Sequence, residues 1–263
     1  MARYTHGHHE SVLRSHRWRT VANSAQYLRP YIVPGAQVLD VGCGPGTITA
    51  EFGELVGQKG NVLGIDVAND VIVLARDEPH GANVKFTVAN LFDEALPDGS
   101  FDVVHAHQVL QHLDDPVAAL RRMRELTKPG GVVAARDGDL GTSVGYPMST
   151  GLTDWLSLYC AVARGNGGEP DAGRRLLSWA HEAGFDDVTP SASVWCFATP
   201  AERKWWGELW ADRVTQSTFA EQALETGLAS ESELQRIADA WRAWSRDPSG
   251  WVSIVHGEIV CVA

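Results

Sequence analysis

Val38-Leu39-Asp40-Val41-Gly42-Cys43-Gly44-Pro45-Gly46-Thr47 is the stretch on which the fold turns. A short apolar strand carrying one acid runs into three closely spaced glycines, and helical spacing resumes at Thr47 and continues to Leu55. Glycines at such a bend let the backbone approach a ligand closely, with the first amides of the next helix turned toward it. A dinucleotide-binding turn spaces its glycines G-x-G-x-x-G, so that a pyrophosphate rests on the helix. Here Thr47 stands in the third slot and Gly46 falls one residue early. Asp40, two residues before the first glycine, would repel a pyrophosphate. It suits the ammonium of an amino acid, held directly, through water, or by a loop that the acid braces. The next strand, 61–66, closes on Gly64-Ile65-Asp66. A carboxylate in that place accepts both hydroxyls of a ribose. Aspartate at a strand end also caps helices, but beside this turn ribose is the better match. Two acids around one glycine turn describe a nucleoside with a positively charged amino-acid tail.

The alternation continues outward from this stretch. Val12, Leu13, Val21 and Leu28 predict a helix over 11–28. Pro30 and Pro34 stop it, because proline lacks a backbone donor and restricts the residue before it. Downstream come a helix over 70–76, a strand over 84–88, the turn Pro97-Asp98-Gly99-Ser100, a strand over 101–106 and a helix over 116–127. Lys128-Pro129-Gly130-Gly131 then leads into a strand over 132–135. Strands alternating with helices imply parallel βαβ units in one sheet covered on both faces. After Asp137 the rhythm changes: a loop over 138–151, helices over 152–163 and 171–183, and a strand over 188–197. Helical segments over 200–224 and 230–244 precede a last strand over 251–262. The final two strands form a hairpin-like pair with helices inserted between them, which gives the sheet an antiparallel edge.

The block from Val38 to Thr47 resembles motif I of the class I S-adenosylmethionine-dependent methyltransferases. Asp66, Ala89-Asn90-Leu91, Leu96-Pro97-Asp98-Gly99-Ser100-Phe101-Asp102 and Leu126-Thr127-Lys128-Pro129-Gly130-Gly131 follow in that family's order. The set is similar to the ubiquinone/menaquinone-biosynthesis-like branch of small-molecule methyltransferases over roughly residues 29–137. The resemblance implies an α/β, Rossmann-like methyltransferase fold. Its sheet is mostly parallel and seven-stranded with an antiparallel edge strand, helices lie on both faces, and there is an extra helical lid. The chain would then be a single domain over 1–263. Residues 1–30 would be an N-terminal helical lid, 31–137 the cofactor-binding core, 138–183 and 199–248 helical insertions on the substrate side, and 251–262 the last strand. The implied cofactor is S-adenosylmethionine. Asp40, Gly42, Cys43, Gly44 and Gly46 would surround its methionine part, Asp66 its ribose, and Val67 and Leu91 its adenine. Asn90 stands where many relatives carry an aspartate for the adenine amino group, and its amide oxygen can accept the same hydrogen bond. His107 and Gln108 would lie near the methionine and the transferable methyl.

Methyl transfer is an in-line displacement at a carbon already activated by a sulfonium, so the protein's main task is to position the acceptor and exclude water. A general base is needed only if the acceptor must lose a proton. Candidates lie at the carboxyl ends of the strands, where open parallel sheets bind ligands. Among His105, His107 and His112, His107 is the better-placed base if His105 ends the strand; its alternative is a hydrogen-bonded structural imidazole. In Arg136-Asp137-Gly138-Asp139, Asp137 is the second catalytic candidate. Asp137 or Asp139 could orient an acceptor and Arg136 could bind an acidic one, or these residues pair with one another. Tyr4-Thr5-His6-Gly7-His8-His9 either closes over the cofactor or is a solvated tail. No carboxylate or cysteine constellation accompanies its histidines, so no metal is expected. Trp205, Trp206, Trp210, Trp241 and Trp244, with Trp155 and Tyr159, fit a buried core by their helical spacing. They also fit an apolar lid over a flat or hydrophobic acceptor.

Bulk properties narrow the class. A hydrophobic fraction of 44% and a charged fraction of 21% belong to a folded globular chain. The net charge of -11 argues against nucleic acid, since the nearest basic cluster is only Arg14, Arg17 and Arg19. It also disfavours strongly anionic acceptors. Cys43, Cys160, Cys196 and Cys261 are scattered, without zinc or disulfide spacing. No apolar run reaches spanning length and the first residues are not signal-like, so a cytoplasmic protein with no membrane partner is expected. The partner is a small-molecule acceptor, methylated at oxygen, nitrogen or carbon; a homodimer stays open. Two other functions compete: a non-catalytic S-adenosylmethionine-binding protein, which would lack an enclosed acceptor pocket, and an NAD-dependent oxidoreductase, which fails on the misplaced third glycine.

Overall fold

The glycine-bearing stretch begins as β1 (Gln37–Val41) in the computed structural model, which describes Thr5, Gly7 and residues 9–263. β1 pairs in parallel with β2 (Asn61–Asp66) on one side and β4 (Phe101–His107) on the other. β3 (Val84–Val88) extends the sheet beyond β2, and β5 (Thr127–Tyr146) extends it beyond β4, both in parallel. β7 (Trp251–Val262) runs antiparallel to β5, and β6 (Val188–Phe197) forms the edge by antiparallel pairing with β7. The order is β3-β2-β1-β4-β5-β7-β6. This is the expected seven-stranded, mostly parallel sheet.

Strand alternation divides the apolar residues between two faces. Val38, Val62, Val103, Val132 and Val260 pack with Ile48, Phe52 and Val56 of α2 (Thr47–Val56) and with Ile72 and Ala75 of α3 (Asn69–Asp77). Leu39, Ile65, Val104, Val133 and Ile259 pack on the opposite face with α4 (Pro116–Leu126). A third cluster lies outside this sandwich. It joins α5 (Thr150–Gly165), α7 (Pro200–Gln216), α8 (Thr218–Glu225) and α9 (Glu231–Arg246) to Trp195, Phe197, Val252 and Ile254 of the last two strands. The late tryptophans build this helical cap.

Three boundaries differ from expectation. The first helix is interrupted. α1 covers only Glu10–Arg17, and Thr20 begins a new π-helical turn, Val21–Ala25, through a reciprocal cap with Asn23. A six-residue 3₁₀ segment, Gln26–Tyr31, follows and contains Pro30. The region expected as loop over 138–151 is largely strand, because β5 runs for 20 residues and pairs with β7 from Val132 to Tyr146, with an irregularity between Asp139 and Val144. The helix expected over 171–183 is a 3₁₀ turn, Ala172–Arg175, followed by α6 (Leu176–Glu182).

That 3₁₀ turn lies directly on β7. A Cβ added at Gly257 would come within 2.0 Å of the carbonyl oxygen of Gly173. Gly257→Ala is therefore expected to destabilise the fold by about 1–3 kcal/mol, the usual range for overpacking. Chemical denaturation measures it, and an unchanged midpoint would mean the two backbones separate freely.

Candidate active site

A cavity of about 630 Å³ opens at the carboxyl ends of β1, β2 and β4 and continues under the helical cap. Its floor is the glycine turn. Gly42, Gly44 and Gly46 all have positive φ (64°, 57° and 82°), a region that L side chains rarely adopt. The turn is also packed from behind. A Cβ at Gly42 would meet Val109 at 2.5 Å, and one at Gly46 would meet Phe86 at 2.5 Å. A Cβ at Gly44 would meet only His16 Nδ1, at 3.7 Å, so this residue presents open backbone to the cavity.

The two acids divide the work. Asp40 is buried; its Oδ1 accepts from His105 Nδ1 at 2.8 Å, and its Oδ2 accepts from the Thr49 hydroxyl at 2.5 Å. It lines the cavity while bracing the turn. Asp66 is half-buried, with Oδ2 accepting from the Gly44 amide (3.2 Å) and Oδ1 from the Ala68 amide (3.0 Å). Cys43 also lines the cavity, and burial raises its thiol well above the usual range, so it stays protonated. Val67 and Leu91 line the same half, Val67 exposed and Leu91 buried. Asn90 lines it too, with its Oδ1 already accepting from the Phe92 amide at 3.0 Å. Phe92, which was not anticipated, sits exposed at this rim.

The other half is aromatic. Leu140, Tyr159, Trp195, Trp206, Trp210 and Ile254 form its walls. Of the late tryptophans, only Trp206 and Trp210 reach the cavity among the described residues. Trp155 and Trp241 instead pack on each other within the cap, with ring centroids 4.9 Å apart. His107 and His256 face this half with rings 6.5 Å apart, and His107 lies edge-on to Trp195 at 5.9 Å. His107 is 5% exposed, and neither ring nitrogen has a partner among the described residues. Burial, reinforced by Arg19 and Arg136, holds His107 well below the usual histidine range. It is neutral. His256 has both nitrogens engaged: Gln108 Nε2 donates to its Nε2 (2.9 Å), and its Nδ1 donates to the Ile254 carbonyl (3.2 Å). Gln108 adopts a positive φ of 54°, and its Oε1 accepts from Arg19 Nη2 at 2.5 Å. Arg19, Trp195, Arg213 and His256 complete the site without having been anticipated.

Asp137 does not line the cavity. Side chains alternate along β5, so Asp137 faces the side opposite Arg136 and His107. There its Oδ1 accepts from the Gln111 amide at 3.0 Å, which fixes the 3₁₀ turn Leu110–His112, whose Gln111 and His112 line the cavity. The expected internal pairings resolve differently. Arg136 pairs with Glu258 of β7 (3.2 Å), and Asp139 with Arg174 (2.5 Å). His105 is consumed by Asp40. His112 lines the cavity, but burial lowers its pKa to about 3. His9 caps α1 by accepting from the Ser11 amide (3.2 Å); Tyr4, His6 and His8 lie outside the described residues. No group of three or more metal-binding side chains occurs among the described residues.

Comparison with known proteins fits this arrangement. A family profile described as a methyltransferase domain matches residues 32–184. An uncharacterised methyltransferase of Schizosaccharomyces pombe is 35% identical over 268 residues, covering 98% of this chain and 95% of that protein. The ubiquinone/menaquinone biosynthesis C-methyltransferase of Vibrio vulnificus is 37% identical over 102 residues, 37% of this chain and 39% of that one. Among solved structures, phosphoethanolamine N-methyltransferase 2 of Haemonchus contortus, in complex with phosphomonomethylethanolamine and S-adenosylhomocysteine, has a TM-score of 0.55 at 18% identity. That match covers 90% of this chain and 51% of that one, and it is a likeness of fold.

Asp137 yields a pH prediction. Burial raises its carboxyl to about 7. Between about pH 4, where the unfolded chain releases this proton, and that value, the folded state still holds it, so this part of the stability falls as pH rises. Asp137→Asn removes the titration. Relative to the parent protein, its unfolding free energy should rise between about pH 4.5 and pH 7.5 by on the order of a few kcal/mol. A difference that stays constant across that range would place the carboxyl in its ordinary range.

Proposed function

The chain belongs to the class I S-adenosylmethionine-dependent methyltransferases, and from that premise we propose that its cavity seats the cofactor on the glycine turn and a small aromatic or apolar acceptor beneath the tryptophan cap. One observation carries this: a single cavity joins an open glycine backbone and a strand-end carboxylate to an enclosed aromatic chamber. The residues fit the cofactor. Gly44 offers backbone where a side chain would stand, Asp66 is a half-exposed acceptor for ribose hydroxyls, and Val67, Leu91 and Phe92 give apolar surface for a base. Asp40 supports the methionine end through the turn, since its direct bonds go to His105 and Thr49. Asn90 can contribute its amide group, and Gln108 and His107 border the junction between the two halves.

When bound, the cofactor supplies a methyl carbon activated by the adjoining sulfonium. The chain's own part is to orient and to exclude water. Trp195 is held by an indole hydrogen bond to the Asn23 carbonyl (2.8 Å), so the wall that a flat acceptor stacks against is fixed. A preset wall gives orientation without ordering cost at the moment of reaction. The enclosed aromatic chamber also favours an enzyme over a non-catalytic binding protein.

Two experiments test this reading. Incubation with methyl-labelled S-adenosylmethionine and a metabolite extract is expected to label a small, flat compound; label confined to polypeptide or nucleic acid would refute the acceptor class. Asp66→Ala should weaken binding of S-adenosylhomocysteine by about 2–3 kcal/mol, roughly 30- to 150-fold, since ribose hydroxyls lose a charged acceptor. Calorimetry reads this directly, and an unchanged affinity would remove Asp66 from the site.

A further inference from the structure

We propose, resting on the methyl-transfer reading above, that the acceptor atom is the oxygen of an aromatic or enolic hydroxyl and that His107 is the base that takes its proton.

The selection of His107 is geometric. Four described histidines line the cavity: His16, His107, His112 and His256. His256 is locked by Gln108 on one nitrogen and the Ile254 carbonyl on the other, and His112 contacts Gln111 at 3.1 Å. His16 is also engaged. His107 alone of the four is buried with both nitrogens lacking a partner among the described residues. A buried polar atom left without a hydrogen bond is costly, so a group in the cavity is the natural partner. A neutral imidazole can accept a hydrogen bond from a hydroxyl there.

The charges around it favour an oxygen acid. The carboxylates lining the cavity are Asp40, Asp66 and Asp114, from β1, β2 and the segment after β4. None comes from the elements that build the aromatic half, which contribute Leu140, Tyr159, Trp195, Trp206, Trp210, Arg213, Ile254 and His256. An ammonium acceptor would find no anionic partner on those walls. An ionising hydroxyl would find Arg213 from α7 and Arg19, whose guanidinium lies 5.8 Å from the Trp195 ring.

The reaction balances without a further reactant. The hydroxyl oxygen attacks the sulfonium methyl; the O–CH₃ bond forms as the S–CH₃ bond breaks, and that bond's electron pair stays on sulfur. The hydroxyl proton passes to the open nitrogen of His107. The products are a methyl ether, S-adenosylhomocysteine and an imidazolium that returns its proton to solvent. Positive charge is moved from sulfur to imidazole rather than created in the chamber, which lightens the burden on a buried base.

Two hydroxyl probes of different acidity test the role. The full chain is assayed at mildly alkaline pH with 2-naphthol, which is still largely protonated there, and with 4-nitrophenol, which is largely ionised; 2-naphthylamine serves as the amine comparator. The parent protein should methylate 2-naphthol faster than 2-naphthylamine. His107→Asn should slow transfer to 2-naphthol by about 100-fold or more, but transfer to 4-nitrophenol by less than about 10-fold, since the latter needs no base. Calorimetry should show unchanged binding of S-adenosylhomocysteine, and binding of 2-naphthol to that complex changed by less than about 10-fold. If His107→Asn fails to fold, His107→Gln carries the same comparison. Equal losses on both phenols, preference for the amine, or no transfer to either phenol by protein that binds S-adenosylhomocysteine would overturn the proposal. Failure to bind S-adenosylhomocysteine would count instead against the cofactor reading.

Discussion

Burying a charged carboxylate is costly unless its oxygens are hydrogen-bonded, and the way this cost is offset at Asp40 organises the site. One oxygen reaches sideways to His105 on the neighbouring strand, and the other reaches to Thr49 in the helix beyond the turn. The residues before, beside and after the glycine bend are therefore tied to one point. With both ends of the bend fixed, Gly42, Gly44 and Gly46 hold their left-handed conformations and the turn stays open toward the cavity. Asp66 adds a second tie by accepting from the Gly44 amide. Both acids thus hold the turn first and face a ligand second.

The same alternation that covers the sheet with apolar residues also assembles the polar half of the site. Asp40, His105, His107, Arg136, His256 and Glu258 fall on one face, because they share parity with Val38, Val103, Val132 and Val260. Arg136 and Glu258 stand directly opposite each other in the β5–β7 ladder, so their pairing follows from register. Asp137 is one residue away and therefore on the other side, where its carboxyl braces the turn that carries Gln111 and His112 to the cavity. Parity alone could have separated Arg136 from Asp137 as neighbours of His107.

What was legible in the sequence divides along the same line. The order of strands and helices, the strand limits of 61–66, 84–88, 188–197 and 251–262, and the glycine turn all follow from short-range patterns of apolar period and turn residues. Elements set by tertiary contact were not legible. The strand past Asp137 contains Gly138 and Gly141, which read as loop, yet β7 supplies pairing partners on both sides of the irregularity between Asp139 and Val144. The N-terminal helix breaks because Thr20 and Asn23 cap each other, and nothing in the apolar spacing marks that exchange. In the site, most of the residues expected around a cofactor do line one half of the cavity, because one contiguous motif and the next strand end supply them, although Gly46 lies outside its lining. The aromatic half draws Arg19, Trp195, Arg213 and His256 from four distant segments. Arg19 was visible only as part of a small basic cluster, and His256 carried no local signal.

On the proposed reading, this division also explains how one scaffold would fix its cofactor and free its acceptor. The glycine turn and Asp66 work through backbone geometry and a two-strand register, which tolerate little change. The chamber above is held by the cap's own cluster, where Trp155, Trp210 and Trp241 pack against one another while Trp206 and Trp210 also line the cavity. Because that cluster is separate from the two sheet-face cores, residues such as Tyr159 or Leu140 can change the chamber's shape without disturbing the turn. Arg19 is the exception. It reaches Gln108, which in turn engages His256, so the segment after α1 is coupled to the far wall of the chamber through a residue held in a strained conformation. A change at the N-terminal segment is thereby transmitted to the His256 side of the cavity along one hydrogen-bonded chain.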